Sequence, residues 1–285
     1  MLTRWVARQG LTVVAPHAMV GCVVKRRQLP CALTIAGSDS GGGAGIQADL
    51  KTFAALNVHG ASAITCLTAQ NPKCVLGVQP ATAEFVTLQL EAVFAELPPH
   101  AVKTGMLFSR EIIDVIATFL RTKRVKCRLI VDPVMVATSG ALLLEKSAVK
   151  ALCTRLLPLA DLVTPNIPEA EVLADASIRD PEDLRSAARK LHSGFGCAVL
   201  LKGGHLEGIK EALDIFYDGK TELLLRAPFV RGVSTHGTGC TYSAAIAAYC
   251  AQGKPLTEAV GLAKGYITRA IANSAPVQSH CVLGW

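Results

Sequence analysis

The amino-acid sequence predicts an α/β fold, in which a mostly parallel central sheet is flanked by helices on both faces. From residue 31 onward, β-branched runs alternate with alanine-rich runs of helical length, as in a series of βαβ units. The 285 residues are 51% hydrophobic and only 18% charged, which is enough apolar material for a large core. No internal repeat or long linker interrupts the alternation. Residues 31–285 are therefore interpreted as one domain, preceded by an extension of residues 1–30.

The predicted elements alternate along the whole of this domain. Strands are predicted at residues 31–36, 61–68, 128–131, 161–164 and 197–201, and then at 212–217 and 221–226 on either side of an Asp-Gly hairpin turn. Helices are predicted at residues 46–56, 82–95, 110–122, 241–252 and 256–273. Ligands of open α/β sheets bind outside the carboxyl ends of the strands. The polar residues that follow each strand are therefore the first candidates for a functional site.

The positive charge of the chain is concentrated in its first thirty residues. The net charge is +7, and residues 1–30 contain five basic residues and no acidic one. The other 24 of the 29 basic residues face 22 acidic ones, so the predicted domain is close to neutral and nucleic-acid binding is not expected. An arginine-bearing, acid-free extension is typical of import into a plastid or mitochondrion, although this one contains no serine. A disordered extension of a cytoplasmic protein is the alternative.

Ten cysteines are scattered through the chain, without Cys-x-x-Cys pairs or the Cys/His spacing of a zinc site. Since no clear secretory signal precedes them, most are predicted to be reduced core residues. The apolar run at residues 11–24 is interrupted by Pro16 and His17, and no run reaches the length that crosses a membrane. Neither a membrane protein nor a disulfide-stabilised secreted protein is expected.

The most informative stretch is residues 235–241 (THGTGCT), which precede an alanine-rich helix. Backbone N–H groups at a helix N-terminus attract anions, and Gly237 and Gly239 would let a phosphate approach the backbone closely. Cys240 falls in the first turn of the helix, where the pKa of a thiol tends to be lowered. A nucleophile or base beside an anion site suggests phosphoryl transfer. A tight turn followed by a buried cysteine is the alternative.

Other polar residues follow the earlier predicted strands. The glycine-rich loop at residues 37–45 lacks the Gly-Lys-Ser/Thr end of a Walker A motif. Asp49 lies one turn into the next helix, where a solvated carboxylate is the ordinary interpretation. Gln70 carries a donor and an acceptor suited to the edge of a heterocycle. Asp132 ends a buried strand, which is a common place for a catalytic carboxylate.

Oxygen ligands and a cation follow the later strands. Asn166 and Glu169 are spaced to share one face of a helix, and both carry the hard oxygen ligands that Mg²⁺ prefers. Helix N-caps also favour Asn, so capping alone explains Asn166 as well. Lys202 follows the strand at 197–201, where it is a candidate phosphate contact.

Seven motifs in one order make the chain similar to the hydroxymethylpyrimidine/phosphomethylpyrimidine kinases of thiamin biosynthesis, which belong to the ribokinase-like superfamily. They are residues 36–49 (AGSDSGGGAGIQAD), 67–71 (LTAQN), 103–106 (KTGM), 132–135 (DPVM), 164–166 (TPN), 201–205 (LKGGH) and 235–241 (THGTGCT). No single motif is specific to this family, but the occurrence of all seven in the same order over residues 31–273 is. The resemblance implies a ribokinase-like fold and an ATP- and Mg²⁺-dependent kinase, homodimeric, that phosphorylates hydroxymethylpyrimidine and then its monophosphate.

The resemblance also implies roles for residues within these motifs. The anion hole and the base would be formed by Gly237, Gly239 and Cys240, with cysteine standing where most ribokinase relatives have aspartate. The pyrimidine would be held by Asp49, Gln70, Met106, Val134 and Gly37. ATP and its phosphates would be contacted by Asn166, Lys202, Thr235 and Thr238, and the metal ion by Asp132 and Glu169.

The sequence departs from the family pattern at two places. Thr138 stands where many bacterial members have lysine, so one phosphate contact is missing or supplied elsewhere. Residues 274–285 lack the usual Gly-Pro-containing tail.

Two other functions stay open: pyridoxal kinase activity, on the same fold and pocket plan, and a non-catalytic pyrimidine-binding regulator. Gln70 and Met106 favour the pyrimidine, and the presence of a base, a carboxylate and a lysine together favours catalysis.

Overall fold

The computed structural model describes residues 28–123, 127–135, 144, 146–204, 206, 210–230 and 236–285. These residues form a central sheet of eight strands between two layers of helices, as predicted. In order across the sheet, the strands are β10 (Glu222–Pro228), β9 (Glu211–Tyr217), β8 (Ala198–Lys202), β7 (Leu162–Val163), β6 (Arg128–Val131), β5 (Ala101–Thr104), β1 (Cys31–Ala36) and β2 (His59–Ile64). Strands β1, β2 and β5 to β8 are parallel to one another. Strand β9 pairs antiparallel with β8, and β10 pairs antiparallel with β9. The predicted extension, apart from residues 28–30, lies outside the described residues.

The two layers of helices cover opposite faces of the sheet. One face is covered by α1 (Gly45–Ala55), α7 (Thr238–Ala251) and α8 (Leu256–Ala272). The other is covered by α2 (Ala83–Glu96), α3 (Arg110–Thr122), α4 (Lys146–Ala151), α5 (Ile167–Ala174) and α6 (Pro181–Phe195). Strand β1 shows why both layers are needed: Leu33 and Ile35 enter one core while Ala32, on the opposite face, enters the other.

Local sequence explains where the outer helices begin and end. Ser109 caps α3 by accepting the Ile112 N–H through Oγ at 3.4 Å, and an apolar stripe along α3 then packs against the sheet. Asp180 caps α6 through its side chain, and α6 ends at Gly196, which adopts φ +76°. Neither α6 nor α4 was predicted from the sequence, nor were the π-helical and 3₁₀ turns at Leu152–Leu156 and Leu157–Leu159 that follow α4.

The strand predicted at residues 61–68 is in fact two strands. Strand β2 ends at Ile64, and β3 (Cys66–Gln70) leaves the sheet to form an antiparallel ribbon with β4 (Val75–Pro80), which was not predicted. Thr65 forms the corner, where its hydroxyl donates to the Met106 carbonyl at 2.6 Å. Residues 61–70 contain no Gly, Pro, Asn or Asp, so the sequence does not reveal where the strand changes its pairing partner. Gln70 therefore ends a ribbon strand and not a strand of the central sheet.

The atypical tail is an ordered part of the domain. It forms a short hairpin of β11 (Ala275–Val277) and β12 (His280–Val282). The indole N–H of Trp285 then donates to Thr241 Oγ1 at 3.2 Å, and Lys51 Nζ lies 4.3 Å from the centre of the indole ring. The tail consequently joins α1 to the N-terminal end of α7.

The described residues also bear on the expected redox state and location. The nine cysteines that the structure describes are free thiols, four of them buried. Within the described ranges, no helix is both long and apolar enough to cross a bilayer.

Candidate active site

The carboxyl ends of the central strands and the N-terminus of α7 enclose an open cavity of about 350 Å³. Parallel strands end at the same edge of a sheet, so the polar residues that follow them meet there. Twelve of the predicted site residues line this cavity: Gly37, Gln70, Met106, Asp132, Val134, Asn166, Glu169, Lys202, Gly237, Thr238, Gly239 and Cys240. Asp49 is not a lining residue, and Thr235 and Thr138 lie outside the described residues.

The N-terminus of α7 faces the cavity, and no side chain among the described residues caps it. Gly237 adopts φ +79°, and a Cβ at this position would lie 1.8 Å from the carbonyl oxygen of Gly43, so only glycine fits. Within the described part of the chain, the buried hydroxyl of Thr238 has no hydrogen-bond partner. Uncapped N–H groups together with the helix dipole favour an anion at this point.

A buried ion pair of Asp132 and Lys202 lies beside this helix end. Lys202 Nζ is 3.1 Å from Asp132 Oδ1, and the hydroxyls of Thr164 and Ser243 contact the same carboxylate at 3.3 and 3.1 Å. A Cβ at Gly239 would lie 3.3 Å from Lys202 Nζ, so the first turn of α7 passes close to the ammonium group. Although burial opposes its charge, the nearby carboxylates raise the pKa of Lys202 above its ordinary value. The lysine is therefore charged at neutral pH.

Asn166 and Glu169 form a capping box at the start of α5. The Asn166 side chain accepts the Glu169 N–H at 2.9 Å, and Glu169 Oε2 accepts the Asn166 N–H at 2.9 Å. The capping interpretation of Asn166 is confirmed, and its side-chain oxygen is engaged within the protein. Burial raises the pKa of Glu169, and the neighbouring charge of Asp132 adds to this effect while Lys202 opposes it.

Cys240 lies in the first turn of α7, close to the backbone of Gly45 at the start of α1. The predicted lowering of its pKa is wrong for this structure. Burial raises the pKa of Cys240 to about 11, because the helix terminus and the nearby Lys103 do not offset the loss of hydration and the charges of Asp49 and Asp132. Cys240 is accordingly a neutral thiol near pH 7.

Asp39 and His236 join the glycine loop to the α7 motif, and neither was assigned a role from the sequence. Asp39 accepts the backbone N–H groups of Gly41 and Ala44, both at 2.8 Å, so the loop closes on this carboxylate. His236 Nε2 lies 3.1 Å from Asp39 Oδ2 and 3.4 Å from Gln70 Nε2. Although burial opposes ionisation, these hydrogen bonds keep the pKa of Asp39 below its ordinary value. Both residues belong to recognised motifs, but their pairing across 197 positions was not visible in the sequence.

Small and apolar groups line the part of the cavity that was predicted to hold the ring. Gly37 N–H donates to the Met106 carbonyl at 3.2 Å, and a Cβ at Gly37 would lie 2.6 Å from Cys66 Sγ. Val134 adopts φ +32°, an uncommon conformation for a β-branched residue and one often found at functional sites. Direct contacts of these residues with a substrate stay predictions.

Asp49 is neither solvated nor exposed to the cavity. Its carboxylate is fully buried and accepts hydrogen bonds from Lys103 Nζ at 2.8 and 3.0 Å and from Thr34 Oγ1 at 2.6 Å. Lys103 itself lines the cavity. The ordinary interpretation of Asp49 as a solvated helix carboxylate is therefore wrong. The cavity is lined by Lys103, which is hydrogen-bonded to Asp49.

Apolar side chains of two further elements also line the cavity. They are Pro228 and Phe229, at the end of β10, and Ile267 and Ile271 of α8. Apolar linings of this kind are common in sites for small molecules.

Comparison with known proteins places the chain among the vitamin kinases. A family model described as phosphomethylpyrimidine kinase matches residues 39–283. A hydroxymethylpyrimidine/phosphomethylpyrimidine kinase of Rhizobium meliloti is 54% identical over 242 residues, which cover 85% of this chain and 90% of the relative. A thiamine biosynthesis bifunctional protein of Geobacter sulfurreducens is 53% identical over 86% of this chain, which spans only 50% of that longer protein. The ADP complex of Bacillus subtilis pyridoxal kinase superposes with a TM-score of 0.81 at 37% identity, covering 90% of this chain and 97% of that one, and the ribokinase-like fold is confirmed.

Proposed function

Because the chain belongs to the phosphomethylpyrimidine kinase family, we propose that it phosphorylates 4-amino-5-hydroxymethyl-2-methylpyrimidine with ATP and then phosphorylates the monophosphate to the diphosphate, for thiamin biosynthesis. One observation carries the proposal. A single cavity is lined by Cys240 at a helix N-terminus, by the Asp132–Lys202 pair, and by both Gln70 and Met106. A base, an anion site and a group that can read a heterocycle edge are therefore within reach of one small molecule.

The reaction asks the protein mainly to position its substrates and stabilise charge. The substrate hydroxyl oxygen attacks the γ-phosphorus, its proton passes to the thiolate of Cys240, and the bond to ADP breaks. Negative charge on the phosphoryl oxygens faces the N-terminus of α7 and the Lys202 ammonium. In the second phosphorylation, a phosphate oxygen of the monophosphate attacks the γ-phosphorus and the bond to ADP breaks. A phosphate monoester is mostly a dianion near pH 7, so this oxygen has no proton to lose and the step needs no base.

Asp132 and Glu169 suit a magnesium ion that is shared with a nucleotide. Mg²⁺ is usually held by one or two carboxylates together with substrate phosphates. Both carboxylates are buried in the cavity wall, at 2% and 5% exposure, and their mutual repulsion contributes to the raised pKa of Glu169. A bound Mg²⁺ would neutralise phosphate charge. Within the described ranges, no cluster of three His, Cys, Asp or Glu residues is placed to bind a metal.

A product assay tests the proposed function. The protein is incubated with MgATP and hydroxymethylpyrimidine, and the phosphorylated products are separated by anion-exchange chromatography. We expect the monophosphate to form first and the diphosphate to follow, with much slower turnover of pyridoxal. Faster turnover of pyridoxal would instead identify a pyridoxal kinase. Binding of the pyrimidine without consumption of ATP would identify a regulator.

Replacing Gln70 by alanine is expected to weaken pyrimidine binding selectively. Loss of a buried polar contact costs about 1–3 kcal/mol, so the KM for the pyrimidine should rise roughly tenfold or more while the KM for ATP changes little. Steady-state kinetics on both substrates measures the difference. Gln79→Ala, an exposed residue of the same ribbon, is the matched control. An equal loss of affinity for both substrates would point to a misfolded site.

We also propose that the protein is a homodimer and that the ribbon contributes to its interface. Large apolar side chains are exposed along the ribbon and the start of α2: Leu67 (55%), Leu76 (79%), Phe85 (56%) and Leu88 (52%). Such a concentration of apolar surface is typical of an interaction site. Leu76→Glu is therefore expected to shift the mass measured by light scattering from dimer to monomer. Val277→Glu, at an exposed valine of the tail hairpin, should leave the mass unchanged. A monomeric parent protein would refute the proposal.

Residues 1–30 are proposed to be dispensable for catalysis and to direct import into an organelle. The family match begins only at residue 39, and the extension contains no acidic residue. A chain that begins at Gln28 should fold and phosphorylate the pyrimidine at the parental rate. Residues 1–30 fused to a fluorescent protein should carry it into plastids or mitochondria. Insoluble truncated protein, or a reporter that stays in the cytoplasm, would contradict the respective part of this prediction.

A further inference from the structure

A second buried ion pair, Lys103–Asp49, has no role in the steps proposed for Cys240 and Lys202. Neither side chain has any exposed surface, and the ammonium contacts both carboxylate oxygens, at 3.0 and 2.8 Å. Although burial opposes its charge, Asp49 raises the pKa of Lys103 above its ordinary value, so the lysine stays charged. Buried ion pairs are often no more stabilising than well-packed apolar residues, so stability alone does not account for this one.

The geometry directs the charge of this pair towards the cavity. Lys103 lies on β5 and lines the cavity, whereas Asp49 lies behind it on α1. A Cβ at Gly105 would lie 2.9 Å from Lys103 Nζ, so the absence of a side chain there leaves room for the ammonium group. Thr34 donates to Asp49 Oδ2 at 2.6 Å and fixes the carboxylate from the side of β1. Three elements thus hold one positive charge at a defined point of the wall.

Four charged groups face Cys240 from the elements packed around it. They are Lys103 of β5, Asp132 after β6 and Lys202 of β8, which line the same cavity as Cys240, and Asp49 of α1, which is bonded to Lys103. Elements α1, β5 and β6 all pack against α7. As two cations and two carboxylates, the four groups balance. Without Lys103, two carboxylates would face the sulfur with a single ammonium, and that ammonium is already paired with Asp132. Burial is the largest influence on the Cys240 pKa and raises it, and Lys103 is the largest influence that lowers it.

We propose that Lys103, held in place by Asp49, is a positioning residue whose ammonium group stabilises the thiolate of Cys240 in the transfer step. The proposal rests on the proposed function, since it concerns the base of that reaction. In that step the proton of the substrate hydroxyl moves to the sulfur and the new O–P bond forms. The bond between the γ-phosphorus and the bridging oxygen breaks, and its electron pair leaves with ADP. Lys103 exchanges no proton. Asp49 supports the site through Lys103, which differs from the direct ring contact implied by the family resemblance.

The pH dependence of Cys240 alkylation tests the charge effect without requiring any catalysis. Iodoacetamide reacts with the thiolate, and digestion followed by mass spectrometry separates Cys240 from the other cysteines. In Lys103→Met, the midpoint of the Cys240 profile should rise by at least about one pH unit, which makes alkylation about tenfold slower at a given pH below the midpoint. Asp49→Asn removes a carboxylate and should move the midpoint downwards.

A double variant protects the test against failure to fold. Removing one partner leaves a buried charge unpaired, which is strongly destabilising. Lys103→Met combined with Asp49→Asn leaves no unpaired charge, and its midpoint should rise less than that of Lys103→Met alone, because one charge of each sign is removed. Lys190→Met, at an exposed lysine of α6, controls for the loss of one positive charge and should leave the midpoint unchanged.

Kinetics then separates a positioning role from a purely structural one and from direct binding of the substrate. We expect Lys103→Met to lower kcat at least tenfold near neutral pH, with partial recovery as the pH rises and little change in either KM. An unchanged alkylation midpoint in Lys103→Met and in the double variant would overturn the proposal, whatever the activity. An increased pyrimidine KM at constant kcat would also overturn it and assign Lys103 to substrate binding. A shifted midpoint with unchanged kcat would refute Cys240 as the base. The alkylation profile thereby distinguishes a failure of the proposed mechanism from a failure of the charge effect of Lys103 on the thiol.

Discussion

Replacement of Cys240 by alanine is expected to lower kcat by about 10²- to 10⁴-fold, the range that a general base contributes. The side chain belongs to the first turn of α7 and lines the cavity in which the acceptor of the phosphoryl group is proposed to bind. Cys240→Ser should keep the fold and ligand binding and still lose most turnover, because a hydroxyl is a far weaker acid than a thiol. Cys240→Asp should keep more activity than Cys240→Ala. Steady-state kinetics with both substrates, together with thermal melting, measures these effects.

The pH dependence of kcat is a second test of Cys240 as the base, because the direction of its change with pH is predicted. Because burial raises the pKa of Cys240 to about 11, the thiolate fraction increases about tenfold per pH unit well below that value. In the parent protein, kcat should therefore rise from pH 7 to pH 9, whereas Cys240→Asp should lack this slope. Cys250→Ala, a buried cysteine of the same helix that does not line the cavity, should leave the profile unchanged. Parental activity in Cys240→Ala would refute the assignment of the base.

Replacement of Lys202 by methionine is expected to lower kcat by about 10²- to 10³-fold, comparable to the removal of one preorganised group from a site of developing charge. The ammonium lies beside the first turn of α7, where the transferred phosphoryl group is proposed to bind. The KM for ATP should also increase, because the nucleotide phosphates lose the same charge. Lys202→Arg should recover only part of the activity, since its planar guanidinium does not reproduce the compact ammonium between Asp132 and Gly239.

The control for Lys202→Met concerns Asp132, which loses its ion-pair partner in this variant. Asp132 would be an unpaired buried carboxylate, so a loss of activity on its own would not distinguish catalysis from unfolding. Lys264→Met breaks a different buried ion pair, with Asp214 at 2.7 Å, and provides a comparison of stability by thermal melting. If Lys202→Met melts no lower than Lys264→Met and still turns over at the parental rate, the proposed role of Lys202 is wrong.

Much of the fold was predictable because its central strands are buried on both faces. Strands β1, β6, β7 and β8 are short apolar runs, and each is followed by turn or helix signals that are local in sequence. The corner at Thr65 was not predictable, because no turn-forming residue separates β2 from β3 in the sequence. Their partners, β1 and β4, are chosen by long-range pairing.

The sequence by itself determined which chemical groups would gather at the site. Parallel strands end at one edge, so Asp132 and Lys202 had to lie near each other, and the Gly-Thr-Gly turn had to begin a helix. Only the tertiary structure decided how these groups are charged and paired. It placed Asp49 behind Lys103, 54 positions away, and it raised the pKa of Cys240 where the local motif predicted a lower one. Burial and Coulomb interactions are sums over spatial neighbours, and those neighbours come from strands and helices that are remote in the chain.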